Sequence, residues 1–87
     1  VTPADVFAEI AAERVSQRMK WAEPHAWGEG DCSSDQVPVT VKLAVLAEEF
    51  GEVARAVLDC KPDDLHRELV QVAAVAVAWL EGMGDDD

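Results

Sequence analysis

The sequence predicts an all-α fold, an antiparallel helical bundle completed by oligomerisation. Apolar residues recur at helical spacing in three separate segments, proline and acidic residues stand where helices begin, and no stretch alternates as a strand would. With 87 residues the chain is short for burying a core of its own, so further copies are expected to supply the missing cover.

The elements follow in order. Thr2 before Pro3 and Asp5 is an N-cap with proline at the first helical position, and Val6, Phe7, Ile10, Val15 and Met19 then repeat at helical spacing, which predicts a helix from Pro3 to Trp21. Residues 22–37, AEPHAWGEGDCSSDQV, form a long connector with proline, two glycines and small polar residues, with room for a short helical turn. Pro38 and Thr40 open a second helix that runs to about Leu58. After a turn over Asp59–Lys61, Pro62, Asp63 and Asp64 start a third that ends at Gly82. Residues 1–84 read as a single domain, and the acidic tail Asp85–Asp87, with nothing apolar to bury, reads as disordered.

Charge and composition exclude several functions. Seven basic against eighteen acidic residues give a net charge of −11, which repels nucleic-acid polymers unless a cation intervenes. The longest apolar run, Leu69 to Leu80, is interrupted by Gln71 and falls short of the roughly 20 residues of a membrane span. No membrane partner is expected. Cys32 and Cys60 lie in dissimilar contexts and the N-terminal stretch is charged and amphipathic, so a cytoplasmic protein with free thiols is the expectation. His25, Cys32, Cys60 and His66 fit no standard zinc spacing, and the Glu-x-x-His pairs of a di-iron bundle are missing.

The acidic residues of the second helix carry the chemistry. At 100° per residue its main apolar stripe is Leu43, Leu46, Ala47, Phe50, Val53, Ala54 and Val57, and Glu48 lies nearly opposite. Glu49 and Glu52 share a different face with Val41, Val45 and Ala56, so apolar residues flank them one turn before and one turn after. The third helix is apolar all round except for Glu68 and Gln71, which share a face. Folding the two helices back about Cys60 and Lys61 sets Glu52 against Glu68 and Glu49 against Gln71. Three carboxylates and a carboxamide between apolar layers call for a hard, oxygen-loving cation, magnesium or manganese.

The pattern Glu49-x-x-Glu52, a short turn, then Glu68-x-x-Gln71 resembles the ExxE…ExxD signature of the MazG-like, all-α nucleoside triphosphate pyrophosphohydrolases, relatives of dimeric dUTPases and dCTP pyrophosphatases. Upstream, Glu13-Arg14-x-x-Gln17-x-x-Lys20-Trp21 is similar to the ERxxQxxKW segment of their small phage and bacterial members, so the likeness spans Glu13 to Glu81. The resemblance implies Mg2+-dependent hydrolysis of a nucleoside triphosphate to the monophosphate and pyrophosphate by a homodimer or homotetramer. It also implies metal ligation by Glu49, Glu52, Glu68 and Gln71, water activation by Glu48, phosphate contacts from Lys20 and Arg55, and base stacking on Trp21. Gln71 departs from the family pattern, where aspartate is usual. A helical module that binds a metal-nucleotide without efficient turnover is therefore the alternative reading. Trp79 reads as packing and Trp27 is left open.

Overall fold

The computed structural model describes residues 1–84 and contains, among them, three helices: α1 (Pro3–Lys20), α2 (Val39–Leu58) and α3 (Pro62–Gly84). Each begins and ends for a local reason. Thr2 and Asp5 form a reciprocal capping box at the start of α1, the Thr2 hydroxyl accepting from the Asp5 amide at 3.1 Å and the Asp5 carboxylate from the Thr2 amide at 3.2 Å. Helix α1 stops one residue short of the expected end, with Trp21 as its cap. Helix α2 ends with Cys60 in the left-handed region at φ 54°, where the Cys60 amide donates to Val57 and the Lys61 amide to Ala56. This closure reverses the chain within three residues and delivers Pro62 to the first position of α3.

The connector departs from expectation. In place of a helical turn it carries a small antiparallel hairpin, β1 (Pro24–His25) paired with β2 (Gly28–Glu29). Glycine decides the outcome: Gly28 and Gly30 have φ of 141° and 93°, and a side chain at Gly28 would collide with the Gln36 carbonyl.

Both α1 and α2 pack on α3 rather than on each other, leaving a cleft between them. Small residues make α3 a good central helix: Ala74 and Ala78 are fully buried, and Val75 with Ala78 and Cys32 forms the core against which Val45 and Leu46 rest. Within the single chain α3 is not covered on every side: Leu69, Leu80 and Met83 are exposed. A larger correction concerns α2. Its main apolar stripe does not face the core: Leu43, Phe50 and Val57 point outward with Ala47 and Ala54, and only Leu46 and Val53 are half-buried. The helix docks instead through the adjoining side that carries Val45, Leu46, Glu49 and Ala56.

One buried cation ties the connector to the helices. The Arg14 guanidinium, 3 % exposed, makes a forked pair with Glu81 at 3.0 and 2.8 Å and donates to Asp31 at 2.6 Å and Gln17 at 2.9 Å. Arg18 adds a bond to Glu81 at 2.9 Å, and Asp31 accepts from the Ser33 amide at 2.9 Å. Beside this clamp, Gly82 lets the connector rest on α3, since a Cβ there would stand 2.7 Å from the Ser33 carbonyl oxygen. Replacing Arg14 with alanine leaves the buried Asp31 without its counter-charge, and should cost about 3–5 kcal/mol in urea unfolding. The exposed His66–Glu9 pair offers a contrast: His66→Ala should change stability by no more than about 1 kcal/mol.

Candidate active site

The antiparallel hairpin of α2 and α3 brings the two acidic motifs together. Carboxylate oxygens of Glu49, Glu52 and Glu68 lie within 4.8 Å of one another, the pairing expected from counting back from the turn. Gln71 joins them. With its nitrogen turned toward the carboxylates, its side chain donates to Glu68 at 3.0 Å and to Glu49 at 3.1 Å. The amide thus bridges the two helices as a donor and offsets part of the repulsion around it.

Electrostatics mark Glu49 as the strained member. Its carboxyl is pushed up to about 7, first by loss of water between the helices and then by the charges of Glu52, Glu68 and Glu48. Desolvation and the neighbouring Glu52 also raise Glu68. The clamp behaves in the opposite way. Hydrogen bonds from Arg14 and Arg18 hold Glu81 below the ordinary carboxylate range. Burial alone would raise Asp31, but the Ser33 hydroxyl and Arg14 more than offset it.

The cluster opens into the cleft between α1 and α2, a cavity of about 590 Å³. Glu48, Glu49, Glu52 and Gln71 line one part of it, and Lys20, Trp21, His25 and Trp27 another, with Asp31 and Cys32 between α3 and the hairpin. Glu48 reaches the cavity because it lies opposite the apolar stripe, and that stripe faces out. Arg55 is exposed and does not line the cavity.

The hairpin supplies residues that motif reading left aside. Its rings cluster with Trp21 at the end of α1: Trp21 meets His25 and Trp27 edge-to-face with centroids 5.2 and 6.4 Å away, and His25 and Trp27 are tilted at 54° with centroids 6.2 Å apart. His25 is held at both nitrogens: Nε2–H donates to the Gly30 carbonyl at 2.8 Å and Nδ1 accepts from the Trp27 amide at 3.3 Å. Lys20 lies over the Trp21 ring with Nζ 5.3 Å from its centroid. Trp79 is half-buried on α3 and is not among the residues that line the cavity.

No family model matches the chain, nor does any curated protein or any solved structure. No described helix is long and apolar enough to cross a membrane.

The donor set is suited to a hard divalent cation: three carboxylates on two helices supply oxygen ligands, and a positive charge relieves the repulsion that raises Glu49. Without metal, that repulsion has a measurable sign. The folded protein holds a proton on Glu49 more tightly than the unfolded chain does, so stability is fully present below the ordinary glutamate range and is lost as pH rises through about 7. The melting temperature in chelator should fall between pH 5 and pH 8, and Glu49→Gln should flatten that slope. Acidification toward pH 3 should lower stability again, as Asp31 and Glu81, whose folded values are depressed, take up protons.

Proposed function

We propose that the chain is a nucleoside triphosphate pyrophosphohydrolase of the MazG-like kind, converting a ribo- or deoxynucleoside triphosphate and water to the monophosphate and pyrophosphate. The observation that carries this reading is the meeting of the two acidic motifs, Glu49-x-x-Glu52 and Glu68-x-x-Gln71, at a cavity whose other wall holds Lys20 and an aromatic cluster. Its volume, about 590 Å³, suits a nucleotide-sized ligand. A homo-oligomer of such chains is part of the proposal.

In this reading Glu49, Glu52 and Glu68 hold magnesium or manganese, with Gln71 beside them. The bound cation supplies neutralisation of phosphate oxygens and a lowered pKa for water. The chain's own residues do the rest. Lys20 meets the phosphates, and Trp21, with His25 and Trp27 next to it, offers the base a flat apolar wall. Glu48 at the rim takes a proton from the water that attacks the α-phosphorus, while the bond from that phosphorus to the bridging oxygen breaks and pyrophosphate carries away the electron pair. The Arg14 clamp contributes indirectly, by fixing the connector that forms the aromatic wall.

Gln71 favours the second reading, a module that binds a metal-nucleotide without efficient turnover, because its amide supplies no charge and is engaged with Glu68 and Glu49. Release of pyrophosphate from a panel of nucleotides with magnesium separates the two. Under the hydrolase reading, Glu49→Gln, Glu52→Gln and Glu68→Gln each remove most turnover, on the order of 10²-fold or more, while the protein stays folded in metal-free buffer. Full activity in any two of them overturns the site.

Gln71→Asp probes the amide directly. It deletes a donor to two carboxylates and adds a fourth charge, so the variant should melt lower than the parent in chelator and recover in millimolar magnesium or manganese. An equal loss with and without metal would show that Gln71 acts as a packing amide alone.

A further inference from the structure

Gln17 and Asp31 both line the cavity, yet neither belongs to the acidic cluster or to the aromatic group. One atom orients them both. Arg14 Nη1 donates to Gln17 Oε1 at 2.9 Å and to Asp31 Oδ2 at 2.6 Å, which spends both of its hydrogens. The Gln17 carboxamide is therefore held by its oxygen, and its NH2 group, which donates to no protein atom among the described residues, is left over for the cavity that Gln17 lines. Asp31 is just as constrained. Its Oδ1 accepts from the Ser33 amide and from the Ser33 hydroxyl, and its Oδ2 from Arg14, so one lone pair remains, on Oδ2. Burial alone would raise this carboxyl, but Ser33 and Arg14 hold it low, so it stays ionised and can only accept. His25, close by, spends both ring nitrogens on the connector and offers only a ring face.

A fixed donor beside a fixed acceptor complements a ligand edge that carries an acceptor beside a donor. Trp21 stands one turn beyond Gln17, its amide donating to the Gln17 carbonyl at 3.1 Å, so the flat indole and this polar pair adjoin. We propose, on the nucleotide reading of this cavity, that Gln17 and Asp31 read the edge of the base and select one with an exocyclic amino group next to an unprotonated ring nitrogen, cytosine or adenine.

The amino group donates to Asp31 Oδ2 and the ring nitrogen accepts from Gln17 Nε2, the pairings by which carboxylates take the cytosine amino group and carboxamides take adenine. Uracil and thymine have a carbonyl where cytosine has its amino group and an N–H where cytosine has its free ring nitrogen. In the same pose that carbonyl faces a carboxylate and the N–H faces the Gln17 donor. Sliding the ring to pair its N–H with Asp31 brings the second carbonyl beside the same charge. Guanine presents adjacent N–H groups at N1 and N2, which call for both oxygens of a carboxylate, and Oδ1 is already spent on Ser33. Arg14 is the positioning residue of this device, because its Nη1 sets which end of the Gln17 amide meets the ligand.

Binding is measured apart from turnover with α,β-methylene analogues of CTP, UTP, ATP and GTP in millimolar magnesium, read by quenching of tryptophan fluorescence, since Trp21 and Trp27 line the cavity. The CTP analogue should bind about 10-fold or more tighter than the UTP analogue, and the ATP analogue tighter than the GTP analogue. Gln17→Glu keeps an oxygen for Arg14 and turns the donor into an acceptor. It should bring the two pyrimidine analogues to within about 2-fold of each other or reverse their order, with helical circular dichroism retained. Should that variant fail to fold, Gln17→Met, of similar shape and without a donor, is expected to level the two in the same way. Equal binding of the CTP and UTP analogues by the parent overturns the inference, while pyrophosphate release from both nucleotides leaves the hydrolase reading in place. A preference that survives folded Gln17 variants unchanged overturns it as well, and moves base selection to other residues. Binding of none of the four analogues overturns the nucleotide reading of the cavity and this inference with it.

Discussion

Repulsion between carboxylates held in a packed helix hairpin is the constraint around which the rest of this small structure is arranged. Helices α2 and α3 are forced close by a three-residue reversal at Asp59–Lys61, and the register of that reversal puts Glu49 and Glu52 against Glu68 and Gln71. A chain selected only for stability would fill such positions with apolar residues. Here Glu49 is partly desolvated and raised to about 7, and the Gln71 amide donates to it. The cost is intelligible if the cluster is completed by a cation, which is why the proposed chemistry begins from these side chains and not from the cavity's shape.

Helix α2 has to satisfy three surroundings at once. One side packs on α3 through Val45, Leu46 and Ala56, another presents Glu48 and Glu52 to the cleft, and a third is uncharged and exposed from Leu43 to Leu58. Amphipathicity in the usual sense has a single apolar side turned to the core. In this chain the widest apolar side is turned away from it, and the core side is the one that includes the carboxylates. The single chain's apolar core is correspondingly slight, with alanines, valines and Cys32 as its buried members and, among the described residues, no large side chain fully enclosed.

That inversion explains what was legible in the sequence. Helix limits were readable to within one or two residues because proline, capping residues and the Cys60 turn act locally. The juxtaposition of Glu49, Glu52 and Glu68 was readable because it depends only on helical period and the length of one turn. Direction relative to the core was not. A periodic pattern states which residues share a side, never which side meets a neighbour, and Leu43, Phe50 and Val57 look like core residues until α3 is seen to lie elsewhere. The hairpin was missed for another reason. Two-residue strands leave no alternation to detect, and the positive φ of Gly28 and Gly30 comes with close neighbours, Gln36 and Ser34, that a side chain would strike and that no local pattern reveals.

The Arg14 clamp links α1, the connector and the far end of α3. Arg14 and Gln17 sit in the Glu13–Trp21 segment that carries the family resemblance, yet their partners Asp31 and Glu81 lie in the connector and at the far end of α3. A buried guanidinium with four hydrogen bonds directed at three side chains on different elements fixes the connector more firmly than its hairpin alone could. The consequence reaches the cavity, because Trp21, His25 and Trp27 are set by the connector that Asp31 anchors, while Lys20 and Gln17 extend from the same turns of α1 as Arg14. The segment's regular spacing therefore serves two ends of one device: Arg14 inward to hold the wall, and Lys20 with Trp21 outward to form it.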